Sequence, residues 1–145
     1  MKLRLVLFIL SFLSVAQTCN KEIPLPNPEM KKLFGKWNWI ETSGGFTGKT
    51  ITPALTRYAL EIEFTKEGVF QKFKNEKSEV RMKFKVIEGK SIFSEENAYL
   101  LSLSVFDSSS AESFHKQSVR FRGSDTLYLY EECHDCFSHV YVRKK

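Results

Sequence analysis

No apolar run in this chain is long enough to cross a bilayer: the longest, Leu5 to Val15, is interrupted at Ser11 and Ser14. A spanning helix of about 20 apolar residues is excluded. Three cysteines, Cys19, Cys133 and Cys136, allow one internal disulfide at most. No internal repeat is present, and Ser108-Ser109-Ser110 is the single low-complexity run. A phosphate-binding loop is missing too. Gly48-Lys49-Thr50 matches the end of that motif, but Ser43 stands where its first Gly belongs, and Pro53 follows too closely for the helix it needs. No nucleophile elbow surrounds a serine, so a triad built on His115, His134 or His139 has no motif behind it. No pair of carboxylates stands out in an apolar setting. The formal charge of +5 is mild, and no nucleic-acid recognition motif accompanies it.

What is present begins with an export signal. Lys2 and Arg4 form a basic start, the apolar run follows, and Ala16, Gln17, Thr18 and Cys19 close it. This is the layout of a secretory leader. Two processing routes are open. Ser14-Val15-Ala16 offers a small-x-small site for ordinary cleavage after Ala16. Alternatively, Cys19 is acylated and becomes the first residue of a lipoprotein, which anchors the domain on a membrane without a span. We take the second route, with residues 1–18 as signal peptide and 19–28 as tether. Pro24, Pro26 and Pro28 alternate along that tether and favour an extended chain. Loss of Lys2 and Arg4 leaves 20 basic against 17 acidic residues, or +3. Part of this excess lies in residues 66–85, which read most simply as a solvated outer face. An anionic partner is the sharper alternative.

Residues 29–145 read as one domain of antiparallel strands. Leu60, Ile62 and Phe64 alternate with Glu61 and Glu63. Val80, Met82, Phe84 and Val86 alternate with Arg81, Lys83 and Lys85. A period of two marks strands with one buried and one wet face. Turn residues separate nine such segments, at 36–42, 58–65, 69–74, 79–87, 90–94, 99–106, 114–122, 126–132 and 137–143. Short connections imply a meander, and eight or nine strands in that order remove their edges by closing into a barrel. One helical turn is expected, from Glu29 to Phe34, ended by Gly35.

Gly35-Lys36-Trp37 opens the first strand after that turn, and Phe137, His139, Tyr141 and Arg143 alternate along the last. In these features, with its export signal, Pro-rich tether and Gly-rich loop, the chain resembles the lipocalin-like lipoproteins of Bacteroidetes. The Thr-Asp-Tyr loop motif of the core lipocalins is absent, which points to the outlying branch of that family. The resemblance implies an up-and-down antiparallel β-barrel of eight or nine strands. It implies that Trp37 packs at a closed base beside an Arg, for which Arg143 is the first candidate and Arg122 the second. Trp39 and Tyr141 are grouped with them as residues that form or brace the base, and Trp37, Trp39, Phe46, Tyr141 and Arg143 are the candidate ligand-binding residues of the barrel interior and lid. The long loop Ser43 to Thr56 sits where lipocalins carry a lid, with Phe46 at its tip; an ordinary mobile loop is the plainer reading.

Eight strands leave a bore that side chains fill or line around a small ligand, and the sequence leaves both outcomes open. Cys133-His134-Asp135-Cys136 falls between the last two strands. In an oxidising compartment a Cys133–Cys136 disulfide is the expected pairing. A metal site built from Cys133, His134, Cys136 and His139, or a redox pair, are the competing readings. The functional expectation is a lipid-anchored, monomeric, non-enzymatic protein of the cell envelope that binds a small, largely apolar molecule without a cofactor. The rivals are a filled barrel acting as an interaction or inhibitor module, and a metal or redox accessory protein.

Overall fold

The computed structural model describes residues 21–106 and 115–145. The expected signal peptide, Cys19 and the run Ser108 to Ser110 lie outside the described residues. The chain forms a 3-10 turn at Pro28–Leu33, then β1 (Gly35–Gly44), β2 (Lys49–Ile51), a one-turn helix α1 (Pro53–Thr56), β3 (Leu60–Phe64) and β4 (Val69–Lys74). After these come β5 (Lys77–Lys90), β6 (Asn97–Ser104), β7 (His115–Arg122), β8 (Thr126–Glu131) and β9 (Phe137–Arg143). All pairings are antiparallel. From β3 to β9 each strand bonds its sequence neighbour, and β1 bonds both β3 and β9. The result is a closed eight-stranded up-and-down barrel in the general lipocalin-like form, with β2 as an extra strand.

Closure depends on how β1 divides its partners. Its first half pairs with β3, from Gly35 opposite Phe64 to Asn38 opposite Glu61. Its last three residues pair with β2 instead, in a hairpin turned by Gly45 to Gly48. Its other edge runs along β9, from Trp37 opposite Arg143 to Gly44 opposite Phe137. A bulge at Ile40 interrupts that register. An extra residue flips the side-chain parity beyond it. Trp37 and Trp39 face the bore before the bulge, and Thr42 faces it after.

The expected segment 90–94 is not a strand. β5 continues unbroken to Lys90, and residues 91–96 form the turn into β6. That turn is tied to the far end of β8: Ser91 Oγ and the Ile92 N–H both donate to the Glu132 carboxylate, at 2.9 and 2.7 Å. The loop expected between residues 43 and 56 contains β2 and α1.

The core fills the lower half of the barrel. Trp37, Ile62, Phe64, Leu101 and Leu127 are almost wholly buried, and Met30 and Leu33 of the 3-10 turn plug the end beneath them. Phe64 packs edge-on against Phe84 and tilted against Phe70. The segment assigned to the tether also lies on this end. Ile23 and Leu25 pack against the core, the Ile23 N–H donates to the Lys66 carbonyl at 2.8 Å, and Asn27 Nδ2 donates to the Tyr99 hydroxyl at 2.9 Å. Ile23 sits directly over Gly68, where any side chain would collide with it.

Candidate functional site

The two ends of the barrel are chemically different. At the closed end Arg143 lies with its guanidinium 4.1 Å from the centre of the Trp37 ring. Nε donates to the Ser124 carbonyl and Nη1 to the Phe34 carbonyl, each at 3.1 Å, and Nη2 donates to the Lys32 carbonyl. The Trp37 indole N–H donates to the Leu33 carbonyl at 2.8 Å. These bonds satisfy carbonyls at the end of the 3-10 turn and fasten it across the barrel floor. Arg122 is elsewhere, on the outer surface beside Tyr128.

The other end is hollow. A cavity of about 360 Å³ occupies the upper bore, and all eight barrel strands line it. Ile62, Phe70, Leu103 and Leu129 form its floor and belong also to the core below. Leu60, Val80 and Met82 extend the apolar wall upward. Polar groups gather on one side, from β1, β8 and β9: Trp39, Thr42, Glu131, His139 and Tyr141. Lys72 and Gln117 complete the lining. Of the residues expected to line the barrel interior, Trp39 and Tyr141 stand in the cavity wall, above the base with which the sequence reading also groups them, while Trp37 and Arg143 lie below the cavity at the closed end.

The polar side is one hydrogen-bonded line. Trp39 Nε1 donates to Thr42 Oγ1 at 2.8 Å; Thr42 Oγ1 meets His139 Nδ1 at 2.8 Å; His139 Nε2 meets Glu131 Oε1 at 3.4 Å. The Trp39 N–H can only donate. With a carboxylate accepting at Nε2, a neutral His139 carries its proton on Nε2 and accepts the Thr42 hydroxyl proton at Nδ1. The second Glu131 oxygen accepts the Phe137 N–H at 3.1 Å, which joins this line to the start of β9.

Burial holds the His139 pKa below the usual imidazole value. Glu131 pulls the other way through its hydrogen bond and its charge, and the charge of Lys72 across the bore adds to the lowering. Burial, with Glu131 close by, raises the Tyr141 phenol far above its usual value and keeps it protonated.

The remaining predicted residues lie outside the cavity. Phe46 stands at the tip of the β1–β2 hairpin and is 94% exposed, so its ring does not close over the mouth here. Cys133 and Cys136 form a disulfide with a Cα–Cα distance of 5.5 Å, in the turn between β8 and β9. The Cys136 carbonyl accepts the Gly45 N–H at 3.1 Å, and a side chain at Gly44 would run into that carbonyl. The four proposed metal ligands are not brought together. The sulfurs are bonded to each other, His134 is exposed, and His139 turns into the bore. Among the described residues the one potential ligand group is Glu131 with the two cysteines.

Sequence reasoning missed Thr42, Lys72 and Glu131. Lys72 reads as part of the solvated face, yet it shares the inward parity of Phe70. Glu131 likewise continues the inward series Leu127 and Leu129, so parity alone held the signal for both. For Thr42 it did not, because the bulge reverses it.

No protein-family model matches the chain, and neither a curated protein nor a solved structure matches it.

Proposed function

We propose that this is an exported, non-enzymatic binding protein, anchored through an acyl group on Cys19 at the cell envelope, outer membrane included, that holds a small, largely apolar molecule in the upper bore. The observation that carries this reading is the cavity itself. Its volume of about 360 Å³ lies in the range of small-molecule sites, roughly 300–1,000 Å³. Its floor is apolar and continuous with a rigid core, and its polar groups are confined to one wall and to Lys72 and Gln117. Burial of a ligand's apolar surface supplies binding at about 25 cal/mol per Å², while the polar groups set its orientation.

The open upper bore speaks against the filled-barrel module, and the joined sulfurs speak against a resident metal. The order Thr42, His139, Glu131 imitates nucleophile, base and acid. We read it as bracing, because the Trp39 N–H already donates to the Thr42 oxygen and Thr42 lies within β1 rather than on a nucleophile elbow. Failure of a fluorophosphonate probe to label Thr42 agrees with this; stoichiometric labelling there defeats it.

The test is native mass spectrometry of protein carrying a C-terminal tag and purified from its own membranes. The expected mass shows acylated Cys19 plus a co-purified small molecule. A protein that is empty as isolated, and that takes up no apolar fluorescent probe, overturns the carrier reading.

A further inference from the structure

Two opposite charges face each other across the cavity. Lys72 is on β4 and Glu131 on β8. In the ring order of the barrel three strands separate β4 from β8 in either direction, so the two residues stand on opposite walls. Both line the same cavity, and among the described residues no other Lys, Arg, Asp or Glu does. They are not joined: among the described residues Lys72 makes no ion pair, and Glu131 pairs with His139. Glu131 has acceptor capacity to spare, because its two oxygens hold single hydrogen bonds at 3.4 and 3.1 Å.

This arrangement selects among ligands. An entirely apolar occupant would strip water from a cation and a carboxylate and return nothing to either, which is costly. An apolar acid would satisfy Lys72 and repel Glu131. An apolar amine would do the reverse. A ligand with an anionic group at one end and a cationic donor at the other satisfies both walls at once, with charge-assisted hydrogen bonds on each side. Its apolar portion then rests on the floor.

We propose that the cavity is a site for a small zwitterion with apolar side chains, of the kind an apolar dipeptide presents, its carboxylate held by Lys72 and its ammonium by Glu131. The inference rests on the binding function proposed above and narrows it to a chemical class.

The test is titration calorimetry on the full mature protein with leucyl-leucine, its C-terminal amide, its N-acetyl form and the doubly blocked form. Each singly blocked form removes one charge and the doubly blocked form removes both, with the apolar body kept. The free dipeptide is expected to bind about tenfold more tightly than either singly blocked form, the effect of one charge-assisted contact. Lys72→Met should abolish the preference for a free carboxylate, and Glu131→Gln the preference for a free ammonium. Lys72 has no ion-pair partner to lose, so its variant keeps the test valid if Glu131→Gln unfolds. Equal binding of all four forms overturns the zwitterion while the apolar cavity stands. Binding of none of them, with uptake of an apolar dye retained, also overturns it. If the dye too is refused, the carrier reading fails with it.

Discussion

The Arg143 guanidinium lies 4.1 Å from the centre of the Trp37 ring while its nitrogens hold backbone carbonyls at Phe34, Lys32 and Ser124. One side chain from the last strand thus covers the first strand's buried Trp and fastens the turn that precedes it. Trp37→Ala should cost about 3–5 kcal/mol, as truncating a buried aromatic does, measured by urea unfolding. Arg143→Lys should cost about 2 kcal/mol, since an ammonium neither stacks as a plane nor forks to several carbonyls. An unchanged urea midpoint in either variant would show that the barrel floor does not depend on this pair.

His139 makes stability depend on pH in a known direction. Its folded pKa lies below the unfolded value near 6.5, so the unfolded chain takes up the proton first. Stability should hold above about pH 6.5 and fall as pH drops from there toward the depressed folded value, below which this contribution levels off. His139→Gln should flatten the difference in unfolding free energy between pH 7.5 and 5.5. If the slope persists unchanged in the variant, His139 is not its source.

Thr42→Val tests the line on the cavity wall. It leaves the Trp39 N–H and the His139 Nδ1 without partners, which should destabilise the fold by about 1–3 kcal/mol. A shift in Trp39 fluorescence should accompany the loss. Thr42→Ser, which keeps the hydroxyl, should restore both readouts to near wild type.

The β8–β9 turn should depend more on Gly44 than on the disulfide. Reducing Cys133–Cys136, a bridge spanning three residues of separation, releases a very short loop and should cost about 2 kcal/mol at most. Gly44→Ala puts a Cβ into the Cys136 carbonyl at a backbone φ of +123° and should cost more than the reduction. Thermal melts of the reduced protein and of Gly44→Ala give the ranking directly.

Phe46→Ser should leave stability within about 0.5 kcal/mol of wild type, because the exposed ring is anchored to nothing. A faster release of bound apolar dye in this variant would show that the ring guards the mouth in the loaded protein. An unchanged rate would make the hairpin tip an ordinary loop.

Strand alternation made the barrel legible, because each wall residue either meets the core or meets water, and Leu60, Ile62 and Phe64 record that choice. The Gly35-Lys36-Trp37 opening located the first strand for the same kind of reason. β2 escaped notice because three residues, Lys49–Ile51, carry too short a pattern, and their partner is the end of β1 across a turn made by glycines. The polar wall was half legible. Parity along β8 and β4 points Glu131 and Lys72 inward, but charged side chains are so commonly solvated that composition argued the other way. Thr42 was beyond reach: the extra residue at Ile40 exists only in the pairing with β9, and no local sequence feature announces it.

Ile23 rests on Gly68 and bonds to Lys66 in the turn between β3 and β4, at the plugged end. The chain therefore reaches the barrel from below its floor. Anything that grips the protein upstream of Lys21 grips it like a cup by its foot. Under the anchoring proposed on Cys19 the rim would face away from the support, and a ligand of the bore would pass in or out from the surrounding water.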